Sequence, residues 1–259
     1  MQHSYLTCMR LFALVVCGAS ATWADVCSSL PAAPTEEVQG GYFWGYANES
    51  TPPPLSFRLS VAPGGPAFRI AVSNLPLTGW QFKNEVVHAG DIEVASCRDG
   101  KRLQLLPVMA WQAIHFATTF VAQDINFDGY LDFSVLTEFA GKFVSRSYWV
   151  YDPRSGLFVE NELTRELGEN CLGAEWHGAC WKSNGIDFDQ KKREISTRYL
   201  LNVCSGPSPT FPGDRYHVEN NRLILIHKEE VDLDHCVISY SDLIGGTMRV
   251  TKVLQLNAH

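Results

Sequence analysis

From residue 42 to the C-terminus the chain alternates short runs of β-branched and aromatic residues with strong turn signals, a pattern that leaves room for little besides β-structure. The strand-like runs are 42–46, 55–61, 68–72, 91–95, 102–108, 147–151, 194–201, 222–227 and 248–256. Between them stand Pro52-Pro53-Pro54, Pro63-Gly64-Gly65-Pro66, Asp99-Gly100, Asp152-Pro153-Arg154-Ser155-Gly156, Gly206-Pro207 and Asn220-Asn221. Glycine, proline and asparagine supply the backbone angles that tight turns need. The spacing predicts an all-β fold, a propeller-like or sandwich arrangement of short antiparallel strands. One short helix is expected over 161–167, and the lack of long amphipathic stretches excludes a doubly wound α/β fold. A hydrophobic content of 46% suffices for a packed core.

Within this pattern one loop carries chemistry. Residues 124–132 read Asp124-Ile125-Asn126-Phe127-Asp128-Gly129-Tyr130-Leu131-Asp132. Side-chain oxygens fall at alternate positions, followed by a glycine and a fourth oxygen-bearing side chain. That is how a protein loop wraps Ca²⁺, a hard cation that takes about 6–8 oxygens. The expected ligands are Asp124, Asn126, Asp128, Tyr130 through its carbonyl, and Asp132, with Gly129 permitting the sharp turn. A helical calcium hand needs a bidentate Glu at the twelfth position, where this chain has Val135. The site is therefore a non-EF-hand loop leading into a strand, Phe133–Thr137. The competing reading is an Asx-rich turn that binds nothing.

Residues 1–24 have the form of a signal peptide: Arg10, then the apolar run Leu11–Val16, then small residues with cleavage sites near Ala21 and Ala24. The apolar run is too short to span a membrane. Cys17 offers a lipid-anchor alternative, but Val16 before it is a poor attachment signal. The expected location is periplasmic or secreted. Of eight cysteines, Cys8 and Cys17 fall in the leader, leaving Cys27, Cys97, Cys171, Cys180, Cys204 and Cys236 as disulfide candidates. The short Cys171–Cys180 loop is the favoured pair, with Cys204–Cys236 next. The whole chain carries a formal charge of −7; removing Arg10 with the leader makes it −8. That balance excludes a nucleic-acid partner, which demands a basic face. The mature chain reads as an N-terminal β region, 25–110, and a calcium-loop β region, 111–259, or as one continuous domain, 25–259.

No enzymatic signature stands out. His88, His115, His177, His217, His227 and His235 make no His-Glu-x-x-His pattern, and neither a Gly-x-Ser-x-Gly elbow nor a phosphate-binding glycine loop occurs. The neighbouring acids Glu160/Glu162, Glu229/Glu230 and Asp232/Asp234 read as solvated strand ends ahead of glycosidase pairs. The expectation is that the chain is not an enzyme. A hairpin tip is expected at 138–143, where Phe139, Gly141, Lys142 and Phe143 are candidate partner-binding residues on a turn steadied by the metal loop. The competing reading packs the two phenylalanines inward. In Tyr148-Trp149-Val150-Tyr151 both faces of a strand are bulky, which marks it as central and buried.

Residues 124–133, 148–158, 161–163 and 188–196 together resemble one bacterial family: exported, calcium-binding, β-propeller-like immunity proteins associated with type IV secretion effectors. These are similar to periplasmic lysozyme inhibitors. The resemblance covers roughly 119–256. It implies a periplasmic protein that holds Ca²⁺ at the five residues named above and blocks a peptidoglycan-cleaving, lysozyme-like enzyme with a neighbouring turn. The chain departs from the family pattern in its weak lipid-attachment signal and its larger number of cysteines. The alternatives from other classes are a calcium-stabilised carbohydrate-binding or adhesion module using Trp44, Trp80 or Trp111, and a glycan hydrolase using an acid pair.

Overall fold

A computed structural model describes residues 25–35, 55–74, 87–110, 120–140, 143–169, 175–176, 179–180, 186–200, 210–232 and 235–255. The expected leader, the strand at 42–46, the tryptophans Trp44, Trp80 and Trp111, and Cys171 and Cys204 lie outside these residues.

The described chain is all-β and sandwich-like, built from meanders in which each strand runs antiparallel to the last. The first sheet comprises β1 (Leu55–Ser60), β2 (Ala67–Asn74), β3 (Val87–Ser96) and β4 (Arg102–Ala110) in sequence order. The second comprises β5 (Val121–Gln123), β6 (Asp132–Ala140), β7 (Phe143–Asp152) and β8 (Leu157–Val159), again in order. Helix α1 (Glu162–Glu169) follows, then a small ladder of β9 (Glu175–Trp176) and β10 (Ala179–Cys180). The third sheet is six-stranded: β11 (Ile186–Asp189), β12 (Glu194–Leu200), β13 (Thr210–Glu219), β14 (Arg222–Asp232), β15 (Val237–Ile244) and β16 (Thr247–Gln255).

The turns form where the sequence places them. Gly64, Gly100 and Gly156 adopt positive φ at the hairpin turns expected from 63–66, 99–100 and 152–156. Asn220 and Asn221 both sit at positive φ between the paired Glu219 and Arg222, the geometry of a two-residue primed turn. Gly245-Gly246 does the same between Ile244 and Thr247. Helix α1 is capped by a reciprocal pair. The Thr164 N–H donates to Asn161 Oδ1 at 3.0 Å, and the Asn161 N–H donates to Thr164 Oγ1 at 2.7 Å.

Strand β7 separates two cores. Trp149 and Tyr151 face a cluster shared by the first two sheets, with Leu59, Phe68, Ile70, Ile92, Val94, Phe120, Phe133 and Phe158. Its rings are in close contact: Phe133 lies 4.8 Å from Phe158 and 5.2 Å from Phe120, centroid to centroid. Tyr148 and Val150 point the other way, into a cluster of Ile125, Phe127, Leu163, Leu167 and Ile195 that joins the second sheet, α1 and the third sheet. The central, doubly buried strand expected from the alternation at 148–151 is what the structure contains. Burying each such side chain stabilises the fold by roughly 1.5–3 kcal/mol.

A disulfide joins Cys27 to Cys97 across 70 residues, and Cys236 is also disulfide-bonded. Bonds of this kind belong to an oxidising compartment. Among the described residues no helix is long and apolar enough to cross a membrane.

Candidate functional site

The loop 124–132 connects β5 to β6, and its shape follows from its own side chains. Asp124 accepts the N–H of Asp128 at 3.1 Å on one oxygen and that of Gly129 at 2.9 Å on the other. Asn126 Oδ1 accepts the Asp128 N–H at 3.3 Å, and Asp128 Oδ1 accepts the Tyr130 N–H at 2.9 Å. These are successive Asx turns, each carboxylate or amide holding the backbone a few residues on. Phe127 and Gly129 take positive φ, at 59° and 90°, to close the coil.

Asp132 closes the loop from beneath. It is 0% exposed. Its Oδ2 accepts the Ile125 N–H at 2.8 Å and its Oδ1 accepts the Tyr151 N–H at 2.7 Å. Burial drives its pKa up to about 8, against the opposing pull of the two N–H donors and reinforced by the charges of Asp128 and Asp124. Burial also raises the pKa of Asp124, with the charge of Asp128 adding to it. Each of these carboxylates therefore feels another as a like charge. Among the described residues no lysine or arginine forms an ion pair with Asp124, Asp128 or Asp132.

The third sheet clasps the loop from the side. Gln190 Nε2 donates to the Asp124 carbonyl at 2.7 Å, and Arg193 Nη2 donates to the Phe127 carbonyl at 2.8 Å, both from the β11–β12 turn. Asn126 Nδ2 reaches Asn221 Oδ1 in the β13–β14 turn at 3.3 Å. Two hairpin turns distant in sequence thus meet the loop.

The residue set suits a hard cation: three carboxylates and one amide on a single coil, with lone pairs remaining on each oxygen. The three carboxylates are not gathered to within 4.8 Å of one another, whereas among the described residues the ligand atoms of Asp25, Cys27 and Cys97 are. The latter group is no metal site, since both its sulfurs are consumed in the disulfide.

The hairpin expected beside the loop is present, with longer strands than the sequence suggests. Strand β6 runs to Ala140 and β7 begins at Phe143, so Phe139 pairs with Val144 and Ala140 with Phe143. A register shift between Leu136 and Glu138 bulges the ladder there. Gly141 and Lys142 lie outside the described residues.

The sequence reading missed a polar chain in the third sheet. Asp214, 1% exposed, accepts the Glu229 N–H at 2.9 Å and lies 3.3 Å from the Tyr216 hydroxyl. Glu229 Oε1 stands 3.5 Å from His227 Nε2, His227 Nδ1 stands 2.6 Å from Asp242, and Asp242 accepts the Thr251 hydroxyl at 2.6 Å. Burial raises the pKa of both Asp214 and Glu229. Alternation along β14 was the one available signal, since it puts His227 and Glu229 on a common face. Glu230, on the other face, pairs with Lys228; Glu162 pairs with Arg222; Asp232 bonds His235.

No protein-family model matches the sequence, and no curated protein matches it. Two solved structures resemble it. One, from Xanthomonas and described as a type IV secretion system related protein, is 15% identical, with a TM-score of 0.44 over 75% of this chain and 98% of its own. The other, a functionally unknown protein from Desulfotomaculum acetoxidans, is 13% identical, with a TM-score of 0.27 over 77% of this chain and 57% of its own.

Proposed function

We propose that this is an exported, periplasmic or secreted protein that binds one Ca²⁺ in the 124–132 loop and acts by binding another protein, a peptidoglycan-cleaving enzyme that it inhibits or gives immunity against. The observation that carries the metal is three carboxyl groups on one coil, with the charge of Asp128 raising the pKa of Asp124 and both raising that of Asp132, and no lysine or arginine ion-paired to them among the described residues. A bound cation supplies the missing positive charge. Asp124, Asn126 and Asp128 would hold it by side-chain oxygens, Tyr130 by its carbonyl, and Asp132 from the buried floor. With the coil fixed, the β6–β7 hairpin that grows from it is the candidate contact, through Phe139, Gly141, Lys142 and Phe143. The protein-binding role is supported by the resemblance of residues 124–133, 148–158, 161–163 and 188–196 to the immunity family. The acidic chain, at −7, favours capture of a cationic lysozyme-like enzyme. The role is non-catalytic.

Two measurements test the two halves separately. Calorimetric titration of the metal-free protein with CaCl₂ should give one site, abolished by Asp128→Ala. Purified protein should inhibit a muramidase or peptidoglycan endopeptidase in a turbidity assay. Loss of inhibition across a panel of wall hydrolases would remove the partner assignment and leave the metal one standing.

A further inference from the structure

Two peptide units of the 124–132 loop are gripped at both ends. Across a trans peptide bond the carbonyl and the N–H point in opposite directions, so a unit held by both has a fixed plane. In the unit joining Asp124 to Ile125, the carbonyl accepts Gln190 Nε2 at 2.7 Å and the N–H donates to Asp132 Oδ2 at 2.8 Å. In the unit joining Phe127 to Asp128, the carbonyl accepts Arg193 Nη2 at 2.8 Å and the N–H donates to Asp124 Oδ1 at 3.1 Å. One grip on each unit is a carboxylate of the loop. The other is a side chain of the β11–β12 turn.

Asn126 is oriented from a different turn. Its Nδ2 donates to Asn221 Oδ1 at 3.3 Å, which leaves its own Oδ1 on the coil side, where it accepts the Asp128 N–H at 3.3 Å. Arg193 and Asn221 both reach out from positive φ, at 57° and 59°. Gln190, Arg193 and Asn221 are all exposed, and exposed turn side chains add little to the stability of a fold. Among the described residues the Arg193 guanidinium forms no ion pair, so its bond to the Phe127 carbonyl is no by-product of charge pairing.

We infer, on the calcium reading of the loop, that Gln190, Arg193 and Asn221 are positioning residues of the ion site, and that Ca²⁺ binding is thereby linked to the hold of the third sheet on the loop. None of the three is itself an expected ligand. Each fixes the direction of a group that shapes the ligand set: two peptide planes and one amide. Outer partners that orient metal ligands change metal affinity by about 10–100-fold. The linkage is reciprocal, so turns that help to hold the ion are themselves held more firmly when it is bound. Charge and position make opposite demands at Arg193. A positive charge beside the site repels a cation, so its removal alone would tighten binding; loss of the grip on Phe127 would weaken it.

Calorimetric titration of the mature, oxidised chain with CaCl₂ tests this, alongside melting in EDTA. R193M should weaken Ca²⁺ binding by about 10-fold or more, as should Q190A and N221A, with the EDTA melting temperature close to that of the parent. R193K keeps a donor for the Phe127 carbonyl and should recover most of the affinity. Amide hydrogen exchange should slow over residues 186–200 when CaCl₂ is added to the parent, and should not respond in Q190A/R193M. A parent chain that binds no Ca²⁺ would overturn the calcium reading and the inference together. A parent that binds Ca²⁺ while R193M binds it equally or more tightly would overturn the inference alone. So would an R193K chain as weak as R193M, or exchange over 186–200 that ignores the ion in the parent.

Discussion

The carboxylate of Asp132 and the backbone of Tyr151, 19 residues apart, are joined by a 2.7 Å hydrogen bond inside the core. The same carboxylate holds Ile125 at 2.8 Å, so one buried side chain ties both ends of the 124–132 loop to the central strand β7. The Tyr151 ring in turn lies 5.5 Å from that of Tyr130 in the loop. Asp132→Ala leaves two buried N–H groups without acceptors, each worth about 1–3 kcal/mol. The expected loss is roughly 3 kcal/mol or more, read as a lowered urea midpoint. Asp132→Asn keeps one acceptor but turns an NH₂ donor toward an N–H donor, and should recover only part of the loss.

Acid titration should separate Asp132 from the other carboxylates. Its folded pKa, about 8, lies above the ordinary 3.8. Its contribution to metal-free stability is therefore fully present below about pH 4 and is lost as pH rises through about 8. Ca²⁺ bound at the proposed site would reverse this by favouring the ionised form. The gain in melting temperature on adding CaCl₂ should therefore grow between pH 5 and pH 8, measured as the difference between melts with Ca²⁺ and with EDTA. A difference that stays flat over that window would mean that Asp132 is not linked to the ion.

How far the sequence discloses this site depends on range. The Asx turns of 124–130 are local, each side chain bonding two to five residues on, so the spacing alone shows them. The same holds for the glycine and asparagine turns and for β7, whose two bulky faces announce two cores. Long-range partners stay hidden. Gln190 and Arg193 reach the loop across 66 residues, and nothing in their neighbourhood marks them. Strand β13 runs through Pro212-Gly213-Asp214, residue types that favour turns, and there its ladder with β12 shifts register and Asp214 enters the core. The Asp214–Glu229–His227–Asp242 chain, buried at Asp214 and Glu229, draws on three strands and is legible only once their registers are known.

Gly129 offers a way to test the proposed metal site apart from the fold. At φ +90° it occupies backbone space that side chains rarely enter, while a methyl group there would meet nothing within 4 Å. Gly129→Ala therefore costs conformational strain alone, about 1 kcal/mol. The distorted coil should weaken calcium binding in calorimetry, while the metal-free melting temperature falls by only a few degrees.

The Cys27–Cys97 bond should matter for stability and leave calcium binding intact. It fastens the N-terminal segment to the first sheet, where the Val26 N–H donates to Cys97 at 2.9 Å and the Arg58 side chain pairs with Asp25 at 2.8 Å. That segment then reaches the second sheet, the Pro34 carbonyl accepting the Ala122 N–H at 2.7 Å. The disulfide closes a long loop, and replacing both cysteines with serine should cost about 2–4 kcal/mol. The loss should appear as a lower urea midpoint in the double variant. Among the described residues the hydrogen bonds that shape the 124–132 loop involve neither cysteine, so the calorimetric calcium affinity of the variant, below its melting temperature, should match that of the parent. A joint loss of stability and affinity would mean that the N-terminal segment, through Ala122, holds the 124–132 loop in shape.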